Sequence, residues 1–206
     1  MEEISTKSKE KSDRRILKTK RNLRQSLIEL MKTKPFENIT IREICDYADV
    51  NRNTFYYHYD CTQALLDEIL STLLDEIKDA VDGITNISEG IWKLCAVYQK
   101  NGELMRILLV EQTNISFCQK LVKVSTPFAD IAVSDFNKDI SDAKKEMISN
   151  YIAFGTLAIF YTWLKQDKEM EIDEVCRVID ALMHFDPIQA IKNCNNSITA
   201  SNDTAS

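Results

Sequence analysis

Turn-forming residues are scarce in this chain of 206 residues, which contains only four glycines and three prolines. Sandwiches and barrels need many tight turns, and glycine and proline supply most of them. Apolar side chains instead recur at helical spacing, for example at Leu23, Leu27 and Leu30. The sequence therefore predicts an all-α fold, and an apolar fraction of 44% is sufficient for a substantial core.

The helical pattern divides into predicted helices with recognisable ends. Thr40 and Glu43 form a capping-box pattern at the start of a short second helix, and Asn51 is placed to cap a third. Pro127 is expected to end the helix that begins at Ile115. The predicted spans are 14–32, 41–48, 52–57, 62–81, 88–100, 103–110, 115–124, 141–165 and 173–184.

Charge is distributed unevenly along a chain whose formal net charge is −6. Nine Lys and Arg side chains and only two acidic ones lie between Lys7 and Arg24. Residues 61–206, in contrast, carry thirteen basic and twenty-two acidic side chains. An acidic protein is a poor partner for nucleic acid, but a local basic arm attracts phosphate. The same charges would also suit a solvated helix face.

The six cysteines show no CxxC spacing, and the two histidines lie in unrelated contexts. We therefore expect reduced cysteines, no metal site and no cofactor. No apolar signal core follows the N-terminal lysines, so a cytoplasmic protein is expected. Residues 147–164 carry no charge, which meets the minimum length for a membrane span. The alternative is a helix that is buried on more than one side.

Two short predicted helices and the tight turn between them form a helix-turn-helix pattern. Ala48, Val50 and Phe55 are apolar and can dock the two helices against each other. The second helix is crowded with side chains that can hydrogen-bond to base edges in a DNA major groove. A partly buried aromatic cluster would explain the same composition without DNA. These side chains are Arg52, Asn53, Thr54, Tyr56, Tyr57 and His58.

The stretch 39–66 closely resembles the DNA-binding domain of the TetR family of bacterial transcriptional regulators. The resemblance implies an N-terminal three-helix DNA-binding domain with a helix-turn-helix, and a larger C-terminal helical bundle that forms a dimer. Two positions depart from the family pattern, which often has glycine at Asp49 and usually lysine at Thr62. The matching residues are Thr40-Ile41-Arg42-Glu43-Ile44, Ala48-x-Val50-Asn51, Thr54-Phe55-Tyr56-Tyr57-His58-Tyr59 and Leu65-Leu66.

The resemblance also implies roles for the matching residues. Thr40 and Arg42 would contact phosphates, whereas Tyr56 and His58 would hold the flanking DNA backbone. The Thr62 hydroxyl, or the amides at the start of its helix, would replace the usual lysine. From charge alone, Lys18 and Lys20 should add attraction that is independent of DNA sequence. The residues that would face base edges or the groove are Arg52, Asn53, Thr54 and Tyr57.

The C-terminal part is expected to form a homodimer, because one helix-turn-helix reads too few base pairs of a palindromic operator. The predicted helices 141–165 and 173–184 are apolar on two sides, which favours a four-helix dimer interface. The alternative is that a single subunit fills both sides. The predicted interface residues are Ile148, Ile152, Gly155, Ile159, Cys176, Ile179 and Met183.

An apolar effector cavity is a further expectation for the C-terminal part. For each residue assigned to it, plain core packing is the alternative. The acidic surplus favours a neutral, apolar or cationic effector, and binding would shift the helix 62–81 and so change the spacing of the two recognition helices. The candidate lining residues are Trp92, Tyr98, Met105, Phe117, Tyr151 and Phe154.

The sequence thus predicts a sequence-specific DNA-binding regulator, an effector-gated repressor that binds its operator as a dimer. The alternative is a TetR-like co-regulator or activator whose C-terminal half binds a partner protein. An enzyme is disfavoured, and no catalytic residue is assigned, because G-x-S-x-G, H-E-x-x-H and glycine-rich phosphate loops are absent from the sequence. The expected segments are a flexible basic tail (1–13), the DNA-binding domain (14–61), a connecting helix (62–81), the dimerisation and effector domain (82–192) and a flexible polar tail (193–206).

Overall fold

The computed structural model describes residues 2–112, 114–134, 141–166 and 170–183. These residues form helices, turns and connecting segments, so the predicted all-α class is confirmed. The expected polar tail and His184 lie outside the described residues. The α-helices are α1 (Glu2–Met31), α2 (Ile41–Ala48), α3 (Arg52–His58), α4 (Thr62–Val81), α5 (Ile87–Lys100), α6 (Gly102–Arg106), α7 (Ile115–Ser134), α8 (Asp142–Lys165) and α9 (Ile172–Met183).

The described chain divides into two compact units. The N-terminal unit comprises the described residues up to Leu73 together with those between Ile107 and Asn114. The C-terminal unit comprises 74–106 and the described residues from Ile115 onward. The division falls inside α4, so the helix expected to connect the two parts contributes residues to both.

The core of the N-terminal unit is built from one stripe of each helix. Leu23, Leu27 and Met31 follow one another at i, i+4 and i+8 along α1, and all three are buried. Between α1 and α2, a short 3₁₀ helix (Phe36–Asn38) turns the chain. The other buried side chains of this unit's α2, α3 and α4 are Ile44, Cys45, Ala48, Phe55, Leu65, Leu66, Ile69, Leu70 and Leu73.

Helix α1 begins at Glu2, twelve residues before the expected start. The prediction relied on apolar periodicity, which detects only the part of a helix that packs against a core. Residues 2–13 are rich in Glu, Lys and Ser rather than apolar residues. The basic arm is therefore a continuation of α1.

Helix α7 continues through Pro127, contrary to the expected break at that residue. Proline removes one backbone hydrogen bond and disfavours a helix interior. The residues that follow it nevertheless bury apolar side chains, including Phe128, Ala129 and Val133. Because that burial requires the helix to continue, packing outweighs the local preference of proline.

The predicted helix 103–110 is divided into two kinds of helix. The α-helical part ends at Arg106, and Ile107–Glu111 form a π turn. In this turn the amide of Gln112 donates to the carbonyl of Ile107 at 2.8 Å, one residue further back than in an α-helix. The π turn belongs to the N-terminal unit, although the helices on either side of it belong to the C-terminal unit.

In the C-terminal unit, α5 packs against α9 and α7 packs against α8. The buried ring of Tyr98 stacks on Phe160, with centroids 3.7 Å apart and an interplanar angle of 10°. Gly90 lets α5 approach α7, because a β carbon at this position would overlap the ring of Phe128. Burial raises the pKa of the Cys95 and Cys176 thiols, so both behave as small apolar side chains.

Candidate nucleic-acid interface

The start of α2 is fixed by the predicted capping box. The backbone amide of Thr40 donates to Glu43 Oε2 at 2.9 Å, and the amide of Glu43 donates to Thr40 Oγ1 at 3.3 Å. Lys34 also donates to Glu43 Oε1 at 2.5 Å. These bonds, with that from Lys34 the largest cause, lower the pKa of Glu43 to about 2. Thr40 and Arg42 are thus presented on an anchored helix start, and both side chains are exposed.

The turn between α2 and α3 depends on a left-handed residue. Asp49 adopts φ 53° and ψ 51° at the C-terminus of α2, a conformation that favours glycine. The amide of Val50 donates to the carbonyl of Cys45 at 3.0 Å, which closes the turn. Asn51 then caps α3, as predicted, by accepting from the amide of Asn53 at 2.8 Å.

Helix α3 presents one buried residue to the core and most of the others to solvent. Phe55 is fully buried and has edge or tilted ring contacts with Tyr56 and Tyr59. Tyr57 is 76% exposed, and its ring lies 5.0 Å from that of His58. The alternative of a buried aromatic cluster therefore fits Phe55 and Tyr59 but not Tyr57. The other α3 residues predicted to contact DNA are exposed (Arg52, Asn53 and Tyr56) or half-buried (Thr54 and His58).

A groove of about 320 Å³ lies between the middle of α1 and the outer face of α3. Arg15 and Thr19, one helical turn apart on α1, line it beside Tyr57 and His58. Burial, followed by the nearby Lys20 charge, lowers the pKa of His58 and favours the neutral imidazole. The prediction did not assign Arg15 or Thr19 to the site. The sequence signal that could have identified them is their i, i+4 spacing, which places both side chains on the same face of α1.

Lys20 forms an ion pair within the N-terminal unit. Its ammonium group donates to Glu68 Oε2 at 2.7 Å and lies 5.4 Å from the centroid of the Tyr59 ring. The Tyr59 hydroxyl donates to Glu68 Oε1 at 3.0 Å. Burial raises the pKa of Glu68, but the bonds from Lys20 and Tyr59 lower it by more, so the carboxylate is charged. Lys20 therefore joins α1 to α4, and its ammonium group would have to leave Glu68 to bind a phosphate.

The remaining predicted contacts keep an accessible position. Lys18 is exposed on α1, and Thr62 is half-buried as the first residue of α4. The guanidinium of Arg42 lies 3.5 Å from Asp46, and both side chains are more than two-thirds exposed. Such an exposed pair is weak, so Arg42 can exchange Asp46 for another anion.

The predicted dimer residues of α8 and α9 fall into two groups. Four of them are buried within the subunit, which agrees with the alternative that a single subunit covers both apolar sides of these helices. These four are Ile148, Cys176, Ile179 and Met183. Ile152, Gly155 and Ile159 remain half-exposed. For the four buried residues the prediction chose a covered side, because the charge-free part of α8 is apolar on more than one side and its sequence does not reveal which side is covered. The large exposed apolar residues of the two helices are Met147, Tyr151, Phe154, Tyr161, Val178 and Leu182.

The predicted effector residues divide between the interior and the surface of the C-terminal unit. Tyr98, Met105 and Phe117 are buried, and the ring of Tyr98 packs on Phe160. Trp92, Tyr151 and Phe154, in contrast, are exposed on the surface. Core packing accounts for the first three residues, and surface exposure removes the last three from a shared interior lining.

Helix α8 is long and apolar enough, by length and composition, to cross a membrane. A core helix of a soluble protein passes the same test. Seven of its side chains are buried in the single chain, among them Phe160, Trp163 and Leu164. A bundle helix with one covered side therefore accounts for the charge-free run.

Two family models match separate parts of the chain. The model for bacterial regulatory proteins of the tetR family matches residues 25–69, which include α2 and α3. A TetR-type model described as the transcriptional regulator C-terminal region matches residues 85–185. The chain belongs to the TetR family of bacterial transcriptional regulators. It is accordingly a DNA-binding regulator, as the resemblance implied.

Solved structures of TetR-family regulators share the fold. A TetR regulator from Streptococcus agalactiae 2603V gives a TM-score of 0.66 at 19% identity, covering 84% of this chain and 97% of that one. The dihydroxyacetone kinase operon activator DhaS gives 0.60 at 18%, covering 80% and 93%. The fatty acid degradation regulator FadR from Bacillus halodurans gives 0.57 at 15%, covering 80% and 94%. At these identities the likeness shows the fold alone, and no curated protein matches the chain.

Proposed function

We propose that this TetR-family regulator binds a palindromic operator as a homodimer in the cytoplasm and represses transcription until an effector releases it. The observation that carries the proposal is the exposed face of α3. There, Arg52, Asn53 and Tyr57 stand beside one another on a helix that is capped at its start and anchored by Phe55. Such side chains are typical of direct base reading in the major groove, where a good contact contributes about 1–3 kcal/mol of discrimination.

Phosphate contacts would position this helix on the DNA. Thr40 and Arg42 at the start of α2, and Thr62 at the start of α4, are accessible beside helix N-termini, whose amides favour anions. Lys18 and Arg15 extend the positive surface along α1. These contacts supply affinity that falls as salt rises, whereas α3 supplies sequence preference.

The apolar surface of α8 supports the homodimer. Met147, Tyr151, Phe154, Ala158 and Tyr161 follow a spacing of four and three residues, so they form one exposed stripe. An exposed stripe of this kind marks a protein interface, because water contact with several aromatic rings is unfavourable. An apolar groove between α8 and α9 continues the same surface, and Val178 lines it from the α9 side.

Gly155 provides a second argument for a partner helix on α8. Glycine in a helix interior costs about 1 kcal/mol relative to alanine. Apart from its chain neighbours and the backbone of its own helix, no atom of the described residues lies within 4 Å of a β carbon built at this position, so packing among the described residues does not require glycine. Close approach of a partner's helix would require it.

The effector part of the proposal rests on the apolar interior of the C-terminal unit. Tyr98, Met105 and Phe117 are buried on α5, α6 and α7, so a small apolar or cationic molecule that enters between these helices would have to displace the core packing of these side chains. A ligand can shift the equilibrium between the DNA-binding and the released conformation only by the difference in its affinity for the two.

The operator is tested by selection of bound sites from a pool of random duplex DNA. We expect a palindrome with half-sites about one helical turn apart, which is the spacing that a two-fold dimer reads. Enrichment of non-palindromic sequence, or of none, contradicts the proposal. A reporter gene placed behind the selected site then gives the sign of regulation, because loss of a repressor raises expression and loss of an activator lowers it.

A further inference from the structure

The side chain of Gln112 bonds to three backbone groups of the segment that joins α1 to α2. Its Nε2 donates to the carbonyl of Met31 at 2.8 Å and to that of Lys34 at 3.2 Å. Its Oε1 accepts from the amide of Phe36 at 3.1 Å. All four residues belong to the N-terminal unit. One half-buried amide group thus uses both of its ends to hold this segment.

These bonds fall where the backbone lacks partners of its own. Met31 is the last residue of α1, and the last carbonyls of an α-helix have no backbone N–H of the same helix to accept from. Phe36 begins the 3₁₀ helix, whose first amide is likewise free of an intrahelical bond. Gln112 therefore caps the end of one helix and the beginning of the next from a distant part of the chain.

The segment held by Gln112 leads directly to the start of α2. Lys34, whose carbonyl accepts from Gln112, donates through its side chain to Glu43. Glu43 is the carboxylate of the capping box that fixes Thr40. A continuous set of hydrogen bonds thus runs from Gln112 through Lys34 and Glu43 to Thr40, the proposed phosphate contact.

Gln112 is itself held by the π turn. Its backbone amide closes the turn on Ile107, and the buried side chains of Ile107, Leu108 and Leu109 anchor the turn in the structure. The direction of the Gln112 side chain is therefore set by the helical form of 107–111. The chain enters this turn directly from α6 of the C-terminal unit.

We infer that Gln112 is a positioning residue for operator binding, one that holds the phosphate-contacting start of α2 in place through Lys34 and Glu43. The inference rests on the proposed binding of DNA by Thr40 and Arg42. Gln112 lies outside the helix-turn-helix in sequence. Its role makes the phosphate contacts of α2 depend on the segment that follows α6.

The first test compares Gln112→Glu with Gln25→Ala in the full-length protein. Gln112→Glu keeps the size and the acceptor but replaces the donors to Met31 and Lys34 with a carboxylate that their carbonyls repel. Gln25 lies in the same unit, and its amide makes one exposed bond to Glu29, so its variant is the matched control. Binding to the selected operator duplex is measured over a series of salt concentrations.

We expect Gln112→Glu to weaken operator binding about tenfold, since two hydrogen bonds are lost in each subunit. The plot of log affinity against log salt should become shallower by about 1 for each half-site, because a phosphate contact is lost. Gln25→Ala should change neither quantity. Unchanged affinity and slope in Gln112→Glu would overturn the inference, and so would weaker binding with an unchanged slope, which indicates a structural role only.

A second measurement separates this inference from the proposed function. Amide hydrogen exchange of Thr40 and Glu43, recorded without DNA, should be faster in Gln112→Glu than in the wild-type protein and in Gln25→Ala. Faster exchange in a protein that selects no operator would contradict the proposed function but support the positioning role. Unchanged exchange would overturn the positioning role, whatever the protein binds.

Discussion

Helices α3 and α8 both expose aromatic rings, but the residues around those rings differ. On α3, Tyr56 and Tyr57 lie one helical turn after Arg52 and Asn53, so each ring stands beside a hydrogen-bonding group. On α8, the exposed rings follow one another along a stripe that also contains Met147. Exposure alone thus does not define a partner. The polar neighbours on α3 fit the polar, charged surface of DNA, and the mainly apolar neighbours on α8 support the proposed contact with another apolar helix.

The largest expected effect comes from placing charge on the α8 stripe. The double substitution Tyr151→Asp with Phe154→Asp would bury four uncompensated carboxylates in a homodimer, and each buried charge costs several kcal/mol. We expect monomers in sedimentation and an operator affinity about 100-fold lower or worse. Trp92→Asp, which charges an exposed aromatic position on α5, is the control and should leave both unchanged. A double variant that stays dimeric would remove α8 from the interface.

The next effect concerns the reading face of α3. Tyr57→Ala removes a ring that is exposed in the free protein, so thermal unfolding should be unaltered. Binding to the selected operator should weaken about 5- to 150-fold for each half-site, which corresponds to the loss of one base contact there. Binding to unrelated duplex DNA should persist. Equal weakening on both duplexes would place Tyr57 on the backbone rather than on a base.

Two lysines separated by only one residue sharpen the contrast between DNA contact and packing. Lys18→Ala should make the salt dependence of operator binding shallower by about 1 per half-site and leave unfolding unchanged. Lys20→Ala should have the opposite pattern. It breaks the bond to Glu68, so the free energy of unfolding should fall by about 1 kcal/mol while the salt slope is preserved. A shallower slope in Lys20→Ala would restore its predicted role in phosphate binding.

The smallest effect concerns the turn that joins α2 to α3. Asp49→Gly relieves a left-handed conformation, which costs an ordinary residue about 1–2 kcal/mol and an aspartate less. Chemical denaturation should therefore show a free energy of unfolding higher by about 0.5–1 kcal/mol. Operator affinity should be unaltered, because the backbone already has the required shape. Destabilisation would mean that the Asp49 side chain contributes to the turn.

Features that depend on neighbouring residues were predictable from the sequence. The capping box at Thr40, the cap at Asn51 and the bounds of α4 are confirmed, and each is determined within one or two helical turns. The role of Lys20 was not predictable, since Glu68 lies 48 residues away along the chain. The bonds of Gln112 to the segment after α1 join residues that are still more distant in sequence.

The orientation of α8 and the course of α7 show a second kind of limit. The C-terminal interface was assigned to Ile148 and Cys176, which pack inside the subunit, because periodicity cannot choose between two apolar sides of one helix. The break expected at Pro127 was likewise a local rule that burial of Phe128 overrides. The covered side of α8 and the continuation of α7 both depend on which surfaces pack together, and that is determined only in the folded chain.

The π turn at 107–111 makes segment length as important as residue identity. A π turn contains one residue more than the α-helical turn that it replaces, so every later side chain is rotated by about 100°. Gln112 points at the carbonyls of Met31 and Lys34 only because this extra residue is present. Removing any one residue from the turn would redirect the amide group while leaving Gln112 in the sequence. If Gln112 positions α2 as inferred, the number of residues between α6 and α7 is itself a determinant of operator binding.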